Sequence, residues 1–504
     1  MTETATRPNL ASVSLDDKYR LDRSHALISG RQALVRLPIA QRERDRAEGL
    51  KTAGLISGYR GSPLGSYDLD LWKASALLEQ HDIIFQPGLN EDLALTALAG
   101  AQQLDFVPGR KVDGVFGIWY GKGPGVDRSG DAIKHANLHG VSPHGGIVLA
   151  FGDDHTAKSS TTAHQSDLTL ASWGVPVLYP SSVSEILELG LAAIAMSRFS
   201  GLLVGLKLVN ETADGTGILN SPQMSGFVLP EIPGPDGGVH IRREMVAMQQ
   251  QDLRLYRHKL PRAQAFARAN HLDRISFGAD SGAFIIATAG KAFPDVLAAL
   301  RLLGVTEAVA RELGIGVYKV GLIYPLDPVG LKEATQQAEE ILFVEEKRAH
   351  LEMQAMGLLY NHTHRARISG KLTPDGAFLL PADLPLDPQL VATAIAGRLF
   401  ATFNTLADRF PEVSQRAQRA LTPSTATTVS VPLGARRPAF CPAARTTPRP
   451  WCLRGRSAER VSAATPWFCF IRIAIPSPSG IWEPKEPIGL DCHRLPRRST
   501  SFKT

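Results

Sequence analysis

The sequence predicts an α/β protein with a doubly wound parallel sheet domain, a second, smaller α/β domain and a disordered tail. Three observations support this fold class. Short apolar runs alternate with helical segments along most of the chain, as in parallel sheets covered by helices. A Pro- and Gly-rich stretch at 229–240 separates two such series. The 504 residues are 44% hydrophobic, which is enough for several buried cores.

Six apolar runs supply the strands predicted for the first domain, residues 1–230. They are separated by segments that fit a helical period. The predicted strands cover residues 54–58, 83–86, 112–119, 146–151, 175–179 and 202–208. The segment 90–104 predicts a helix with Asn90 as its N-cap. Its expected buried stripe consists of Leu93, Ala97, Leu98, Ala101 and Leu104.

The rest of the body predicts a linker, a second domain and a connector. Residues 231–275 are polar and Arg-rich, and they predict a linker followed by a bridging helix. The second α/β domain is predicted over 276–403, and Gly290 marks a tight strand-to-helix turn within it. Its strands are expected at 283–288, 316–321 and 341–345. Residues 404–441, rich in Thr, Ser and Pro, predict a connector.

Composition excludes several classes of protein. The sequence has no run of 18 apolar residues, and residues 1–16 are polar. A membrane span and a secretory signal are therefore not expected, which favours the cytoplasm. Residues 1–440 contain no cysteine. This excludes a disulfide framework and any Cys-ligated cluster from that part of the chain.

The composition changes sharply near Cys441. Residues 436–504 contain 11 Arg, 2 Lys and 4 acids, a balance of +9 against +6 for the whole chain. They also contain all four cysteines and ten prolines, without a helical or strand period. Such a tail is typical of a GC-rich gene translated out of frame. Contact with nucleic acid or a membrane is the alternative, but the tail lacks an amphipathic period.

Permitted codons support the out-of-frame interpretation. One coding string for residues 441–448 encodes CPGCPHNT when a single G is restored after the second codon. In the same frame, residues 460–468 can encode GIGCHTMVL and residues 481–490 can encode MGAEGANWIG. Three sensible motifs in one frame are hard to assign to chance. We therefore expect native sequence to end near Pro442, and residues 442–504 to be out of frame and disordered.

Four motifs of the body resemble one protein family in their order and spacing. They are GYRGSPLG at 58–65, NEDLA at 90–94, GDDH at 152–155 with KSST at 158–161, and EEKR at 345–348. With the motifs of the restored frame, they resemble the indolepyruvate:ferredoxin oxidoreductases, in the long fused form of the 2-oxoacid:ferredoxin oxidoreductase superfamily. The resemblance covers roughly residues 20–442. Each motif alone is weak, but the ordered set is specific.

The resemblance implies a fold and an activity. Residues 1–230 would be the pyrimidine-side domain of a thiamine-diphosphate fold, and residues 276–403 a transketolase C-terminal-like domain. The implied reaction is oxidative decarboxylation of aryl-2-oxo acids, such as indolepyruvate, to acyl-CoA with ferredoxin as electron acceptor. The full enzyme would use thiamine diphosphate, Mg²⁺ and [4Fe-4S] clusters. We expect a homo-oligomer without a nucleic-acid or membrane partner.

A second hypothesis is that the chain is a truncated, inactive fragment of such an enzyme. In the family, the Mg²⁺ ligands belong to a GDG-type motif that would follow residue 504, and the clusters are held by cysteines. We therefore expect this chain alone to be inactive, and we assign no metal ligand to it.

Glu91 is the catalytic and cofactor-binding residue that the resemblance implies. A glutamate in this role hydrogen-bonds the pyrimidine ring of thiamine and helps to remove the thiazolium proton. A carboxylate in the first turn of a helix also has a simpler explanation, because the helix dipole favours it there.

The loop at 58–65 leaves a predicted strand and enters a helix. The resemblance places Gly61 beside the cofactor and gives Ser62 and Arg60 contact with the substrate. The family usually has Thr-Pro where this chain has Ser62 and Pro63. A hydroxyl and a guanidinium suit a substrate carboxylate, but an ordinary strand-to-helix turn remains the alternative.

A second polar loop follows the strand at 146–151. Asp153, Asp154, His155, Lys158 and Ser159 are expected to line the active-site cleft or a subunit interface. Acids and histidines here could suggest a metal site, but their spacing matches no compact metal motif. A solvated polar loop is the remaining alternative. The motif at 345–348 is expected to contact another domain.

Overall fold

A computed structural model describes residues 15–23, 25–157, 162–220, 226–243 and 248–422. The predicted out-of-frame tail at 442–504 lies outside these ranges. The strands are β1 His25–Ser29, β2 Thr52–Gly58, β3 Ile83–Phe85, β4 Gly114–Lys122, β5 Ile147–Asp153, β6 Val177–Leu178, β7 Val204–Val209, β8 Thr216–Asn220, β9 Arg274–Gly278, β10 Phe284–Thr288, β11 Ile315–Lys319, β12 Leu322–Tyr324, β13 Glu340–Val344 and β14 Arg367–Ser369.

Helices connect and cover these strands. They are α1 Gly30–Ala47, α2 Tyr67–Lys73, α3 Ser75–Gln80, α4 Glu91–Ala101, α5 Gly123–Arg128, α6 Gly130–His139, α7 Ser166–Ser172, α8 Val183–Ser200, α9 Asn210–Ala213, α10 Met248–Arg254, α11 Leu260–Ala269, α12 Ala292–Leu302, α13 Glu307–Leu313, α14 Pro328–Thr335, α15 Leu351–Leu359, α16 Pro388–Thr402, α17 Leu406–Arg409 and α18 Pro411–Leu421. A π-helical turn, Leu255–Lys259, joins α10 to α11. Within the described ranges, no helix is both long and apolar enough to cross a membrane.

The first α/β unit is built on a seven-stranded sheet in the order β12-β6-β7-β5-β4-β2-β3. All neighbouring strands are parallel except β12, which runs antiparallel to β6. The six predicted strands correspond to β2 through β7. Helices α1 and α8 cover one face, and α4, α6 and α7 cover the other. The doubly wound parallel sheet is therefore confirmed.

The second α/β unit has a five-stranded sheet in the order β14-β13-β10-β11-β9, with only β9 antiparallel. The three predicted strands correspond to β10, β11 and β13. Gly290 follows β10 with φ 52°, a left-handed conformation that glycine adopts without strain, and the Tyr179 ring packs against its backbone.

The two units share an interior instead of folding as separate globules. One buried cluster joins Leu149 and Phe151 of the first sheet to Ile285 and Phe343 of the second. In addition, β12 follows β11 along the chain but pairs with β6 of the first sheet. The segment predicted as linker and bridging helix contains α10, the π-helical turn and α11.

The buried face of α4 differs from the prediction. Asn90 is the N-cap, and its side chain accepts a hydrogen bond from Leu93 N at 2.8 Å. However, the predicted stripe is wrong, because Leu93 is 50% exposed and the buried apolar residues are Ala94, Leu95 and Leu98. Since α4 is apolar on almost every side, its composition does not fix which face packs on β2 and β4.

The first part of the predicted connector at 404–441 is helical. Residues 411–421 form α18, which packs on α16 and buries Val413 and Ala417 in the core of the second unit. The segment resembles a linker in composition because its apolar residues occupy one narrow stripe of an otherwise polar helix. The rest of the connector, from residue 423, lies outside the described ranges.

Candidate active site

The predicted site residues that the structure describes lie at one edge of the first sheet. Because β2, β4, β5 and β7 are parallel, the loops that follow their carboxyl ends lie side by side. The loop at 59–66 follows β2, α5 follows β4, Asp153 ends β5, and Asn210 follows β7. Open α/β sheets commonly bind ligands at this edge.

Glu91 is the first residue of α4 and is only 7% exposed. Its backbone carbonyl accepts a hydrogen bond from Trp119 Nε1 at 2.9 Å, which fixes the start of α4 against β4. Gly125 of α5 lies directly against its side chain. A Cβ at Gly125 would be 2.7 Å from Glu91 Cγ, so a residue larger than glycine would displace the carboxylate. The local packing therefore leaves space for this side chain and positions it.

The loop after β2 packs against the ends of the neighbouring strands. A Cβ at Gly61 would be 2.6 Å from Lys122 Cδ, at the end of β4, which shows how closely the loop approaches that side chain. Arg60 Nη2 lies 3.5 Å from Asp68 Oδ2. Ser62 is half-buried beside these residues. The structure therefore places Arg60, Gly61 and Ser62 at the same sheet edge as Glu91.

Asp153 is buried, and it accepts hydrogen bonds from the residue that follows the polar loop. Its Oδ2 accepts a hydrogen bond from Ser166 N at 2.8 Å, and its Oδ1 accepts one from Ser166 Oγ at 2.6 Å. Lys207 Nζ lies 3.6 Å from Asp153 Oδ2 and donates to Asp167 Oδ2 at 2.6 Å. These bonds hold together the two ends of the loop at 154–165.

The other predicted residues of this loop differ in their surroundings. Asp154 Oδ1 accepts a hydrogen bond from Asn210 Nδ2 at 3.4 Å. Burial, followed by the charge of Lys207, holds the pKa of His155 well below its usual value, so that its ring is neutral at pH 7. Lys158 and Ser159 lie outside the described residues. Within the described ranges, no group of three or more His, Cys, Asp or Glu residues is placed to hold a metal ion.

Charged residues from both units were missed by the sequence predictions. Lys207 is 1% exposed, and its ammonium lies 4.9 Å from the centroid of the Tyr179 ring. Across the shared interior, Lys291 Nζ donates to Glu346 Oε1 at 3.0 Å. A single lysine within the apolar run of β7 was the available signal for Lys207. The partners of Lys207 and Lys291 could not be predicted from the sequence, because they come close only in the folded structure.

The polar loop also contacts the second unit. Arg348 N donates to Gln165 Oε1 at 3.1 Å, and Gln165 Nε2 donates to the Arg348 carbonyl at 3.2 Å. His164, one residue earlier, packs on Gly123 and lies 3.8 Å from Asp127 of α5. The loop at 154–165 therefore connects α5, beside Glu91, to the EEKR segment at 345–348.

Comparison with known proteins adds sequence and structural relatives. A family model described as an indolepyruvate oxidoreductase domain matches residues 274–421. The chain is 26% identical over 416 residues to the indolepyruvate oxidoreductase subunit IorA of Methanothermobacter marburgensis. It is 25% identical over 354 residues to the same subunit of Methanothermobacter thermautotrophicus. This chain is a relative of the indolepyruvate oxidoreductases.

The alignments with these relatives are partial. They cover 80% and 68% of this chain but only 59% and 51% of the relatives. Among solved structures, 2-oxoglutarate:ferredoxin oxidoreductase from Magnetococcus marinus superposes with a TM-score of 0.53 at 12% identity, over 75% of this chain and 66% of that one. That superposition shows a shared fold, of the thiamine-diphosphate-binding type. The chain is therefore similar in sequence to the indolepyruvate oxidoreductase subunits and in fold to this 2-oxoglutarate:ferredoxin oxidoreductase.

Proposed function

We propose that this chain takes part in thiamine-diphosphate-dependent oxidative decarboxylation of aryl-2-oxo acids to acyl-CoA, with ferredoxin as electron acceptor. The observation that carries the proposal is Glu91. It is a buried carboxylate at the sheet edge where α/β folds bind ligands, in a relative of the indolepyruvate oxidoreductases. CoA, ferredoxin, Mg²⁺ and the [4Fe-4S] clusters belong to the proposal for the whole enzyme.

Glu91 would hold the pyrimidine ring of thiamine diphosphate. Bound thiamine diphosphate would supply a nucleophilic thiazolium carbon and an electron sink for the loss of CO₂ from the 2-oxo acid. Glu91 forms no ion pair with any described residue, so that its carboxylate is available to hydrogen-bond a ring nitrogen. The absence of a side chain at Gly125 leaves room for the Glu91 side chain itself.

The loop after β2 would bind the substrate end of the site. Ser62 would donate a hydrogen bond to the 2-oxo acid, and Arg60 would face its carboxylate. Asp68 holds the guanidinium of Arg60, which limits the positions that this side chain can take. Gly61 would allow the backbone to approach the cofactor closely.

The alternative proposal is that the 504-residue chain alone has no turnover. The chain spans 59% and 51% of the lengths of the curated relatives it matches. Activity of the purified chain with indolepyruvate, thiamine diphosphate, Mg²⁺, CoA and a viologen dye would contradict this alternative. It would leave the proposed reaction in place.

The proposed reaction is best tested in extracts of source cells from which the gene has been deleted. We expect the deletion to remove indolepyruvate-dependent viologen reduction, and the wild-type gene to restore it. Glu91→Gln should fail to restore it, with a loss of at least about a hundredfold, because proton transfer by a positioned side chain typically contributes 10²–10⁴ in rate.

Asp92→Asn is the matched control for Glu91→Gln. Asp92 is also a first-turn carboxylate of α4, so both variants lose a similar interaction with the helix dipole. We expect Asp92→Asn to retain activity within a factor of about three. Equal loss in both variants would support a purely structural role for Glu91. Restoration by Glu91→Gln would overturn its catalytic role.

A further inference from the structure

A groove of about 740 Å³ lies between the polar loop and the second α/β unit, and the proposed reaction does not use it. His164 and Gln165 form one side. The apolar segment 378–382 forms another, and Lys347, Arg348 and Lys371 supply its charge. Asp383 is the single acid of the lining. We call this cavity the basic groove.

The cations of the basic groove differ in how far the protein neutralises them, since the carboxylates of Glu345, Glu346 and Glu352 stabilise the charge of Lys371. Lys371 Nζ donates to the carbonyls of Glu345 at 2.6 Å and Pro381 at 3.3 Å, which orients the ammonium without an ion pair to a described carboxylate. Arg348 Nε donates to the Gln165 amide oxygen, which carries no charge. Lys347 forms no ion pair with any residue in the described ranges. Lys347 and Arg348 therefore supply the positive charge of this concave site that is not paired with a carboxylate in the described ranges.

The backbone at Lys347 is strained, which sets this residue apart from ordinary surface lysines. Its φ is 61°, a left-handed conformation that costs a residue with a side chain about 1 kcal/mol or more. The residues before it are fixed, because Glu345 accepts hydrogen bonds from the backbone N–H groups of His350, Leu351 and Glu352. Strain held by well-ordered neighbours is typical of ligand-binding positions.

One wall of the basic groove is apolar and open to solvent. Phe378 is 95% exposed although it is a large aromatic residue. Leu380, two residues later in the same segment, is buried in the core of the second unit and fixes the position of this wall. Apolar walls combined with a few convergent charged groups characterise small-molecule sites.

We propose that the basic groove binds a phosphate-bearing anion with an apolar or aromatic body. Lys347, Arg348 and Lys371 would form charge-assisted hydrogen bonds to the phosphate oxygens, and Phe378 would pack on the body. The ligand would contact both the polar loop, through His164 and Gln165, and the second unit.

This geometry gives the ligand a second effect. His164 packs on Gly123, and both Gly123 and Gly125 lie in α5, whose Gly125 contacts Glu91. A ligand that fixes His164 and Gln165 would therefore also fix the neighbourhood of Glu91. The proposal goes beyond the proposed reaction and is tested by binding alone, so failure of one does not imply failure of the other.

The test is calorimetric titration of the full 504-residue chain, in phosphate-free buffer, with ADP, inorganic phosphate and adenosine. We expect ADP to bind more tightly than phosphate, and adenosine to bind weakly. The affinity for ADP should fall as NaCl is raised, because salt screens the attraction between the phosphates and the cations of this solvent-open groove. Lys347→Ala and Arg348→Ala should each weaken ADP binding about tenfold, the loss of one contact of about 1.4 kcal/mol.

Lys332→Ala is the control, because Lys332 is an exposed lysine on α14, outside the groove. It should bind ADP as the wild type does. Hydrogen exchange in the loop at 154–165 should slow when ADP is added to the wild type but not to Lys347→Ala. Absence of ADP binding at millimolar concentration, or equal loss in all three variants, would overturn the proposal. Equal affinity for phosphate and ADP would overturn the apolar part of the site.

Discussion

At the scale of single residues, Asp273 is a carboxyl group whose buried position disfavours its charged form. Its Oδ1 accepts hydrogen bonds from Gly321 N at 2.8 Å and Leu322 N at 2.9 Å. Its Oδ2 is shielded from solvent without a hydrogen-bond partner. Burial raises the pKa of Asp273 to about 7, although the two backbone N–H groups lower it. These hydrogen bonds join Asp273, just before β9, to the start of β12. The free energy needed to bury the carboxylate depends on pH, because its protonated form carries no charge.

We predict that Asp273→Asn stabilises the protein more at pH 8 than at pH 5. Because the folded pKa is raised, the folded state binds a proton more tightly than the unfolded state between pH 4 and pH 7. The wild type therefore loses stability from this group as the pH rises towards about 7. Asparagine keeps the Oδ1 acceptor and removes the charge. Urea unfolding at pH 5, 6, 7 and 8 measures the difference.

Asp280→Asn is the control for this prediction, because Asp280 is exposed. It should change the free energy of unfolding by a similar small amount at every pH. A difference between Asp273→Asn and the wild type that stays constant from pH 5 to pH 8 would contradict the assigned ionisation.

Sequence could locate some site residues but not their partners. The N-cap Asn90 and the motif around Glu91 were sufficient to place Glu91 at the start of a helix. No pattern in sequence pairs Lys207 with Asp167, since the two residues are 40 positions apart and meet only when β7 and α7 pack together. The basic groove could not be predicted either, because its lining comes from four separate segments of the sequence.

At the scale of elements, the ends of β5 and β7 and the start of α7 are joined by a buried charge network. Lys207 of β7 lies between Asp153 and Asp167. Burial alone would raise the pKa of Asp167, but the charge of Lys207 beside it holds the pKa below its usual value. The network joins Asp153, before the polar loop, to Asp167, after it.

We predict that Lys207→Met destabilises the fold by about 3–5 kcal/mol, because it leaves two carboxylates buried without a counter-charge. The loop at 154–165 should then exchange its amide hydrogens faster than in the wild type. Chemical unfolding and hydrogen exchange measure these two effects. Lys207→Arg retains the charge and should lose less stability.

Arg416→Met is the control, because it removes an exposed i, i+4 pair with Glu412. Such pairs contribute about 0.3–0.5 kcal/mol. If Lys207→Met costs no more than Arg416→Met, the buried network does not stabilise the loop.

The predicted strands were found because buried parallel strands are continuous apolar runs with flanking turn residues. All seven residues of β5 are buried, for example. Edge elements gave weaker signals. The three-residue β12 and the polar helix α18 bury few residues, so their structure depends on tertiary contacts rather than local pattern.

At the scale of the whole molecule, large apolar side chains on and beside α4 are exposed to solvent. We call this surface the face of α4. Leu89 is 86% exposed, Leu93 is 50% exposed and Ile84 is 62% exposed. Ile84 is in register with Leu55 of β2, so both side chains project from the sheet face that α4 covers. Clusters of exposed large apolar residues commonly mark contact surfaces. We propose that this face forms the contact of a homo-oligomer.

The double variant Leu89→Asp with Leu93→Asp should therefore reduce the assembly to monomers. Each aspartate would bury a charge in the contact, which costs several kcal/mol when the charge has no partner. Sedimentation velocity at several protein concentrations measures the mass of the assembly. Leu302→Asp is the control, because Leu302 is similarly exposed at 49% but lies on α12 of the second unit. A wild-type chain that is already monomeric, or an equal effect of Leu302→Asp, would show that the face of α4 is not the contact.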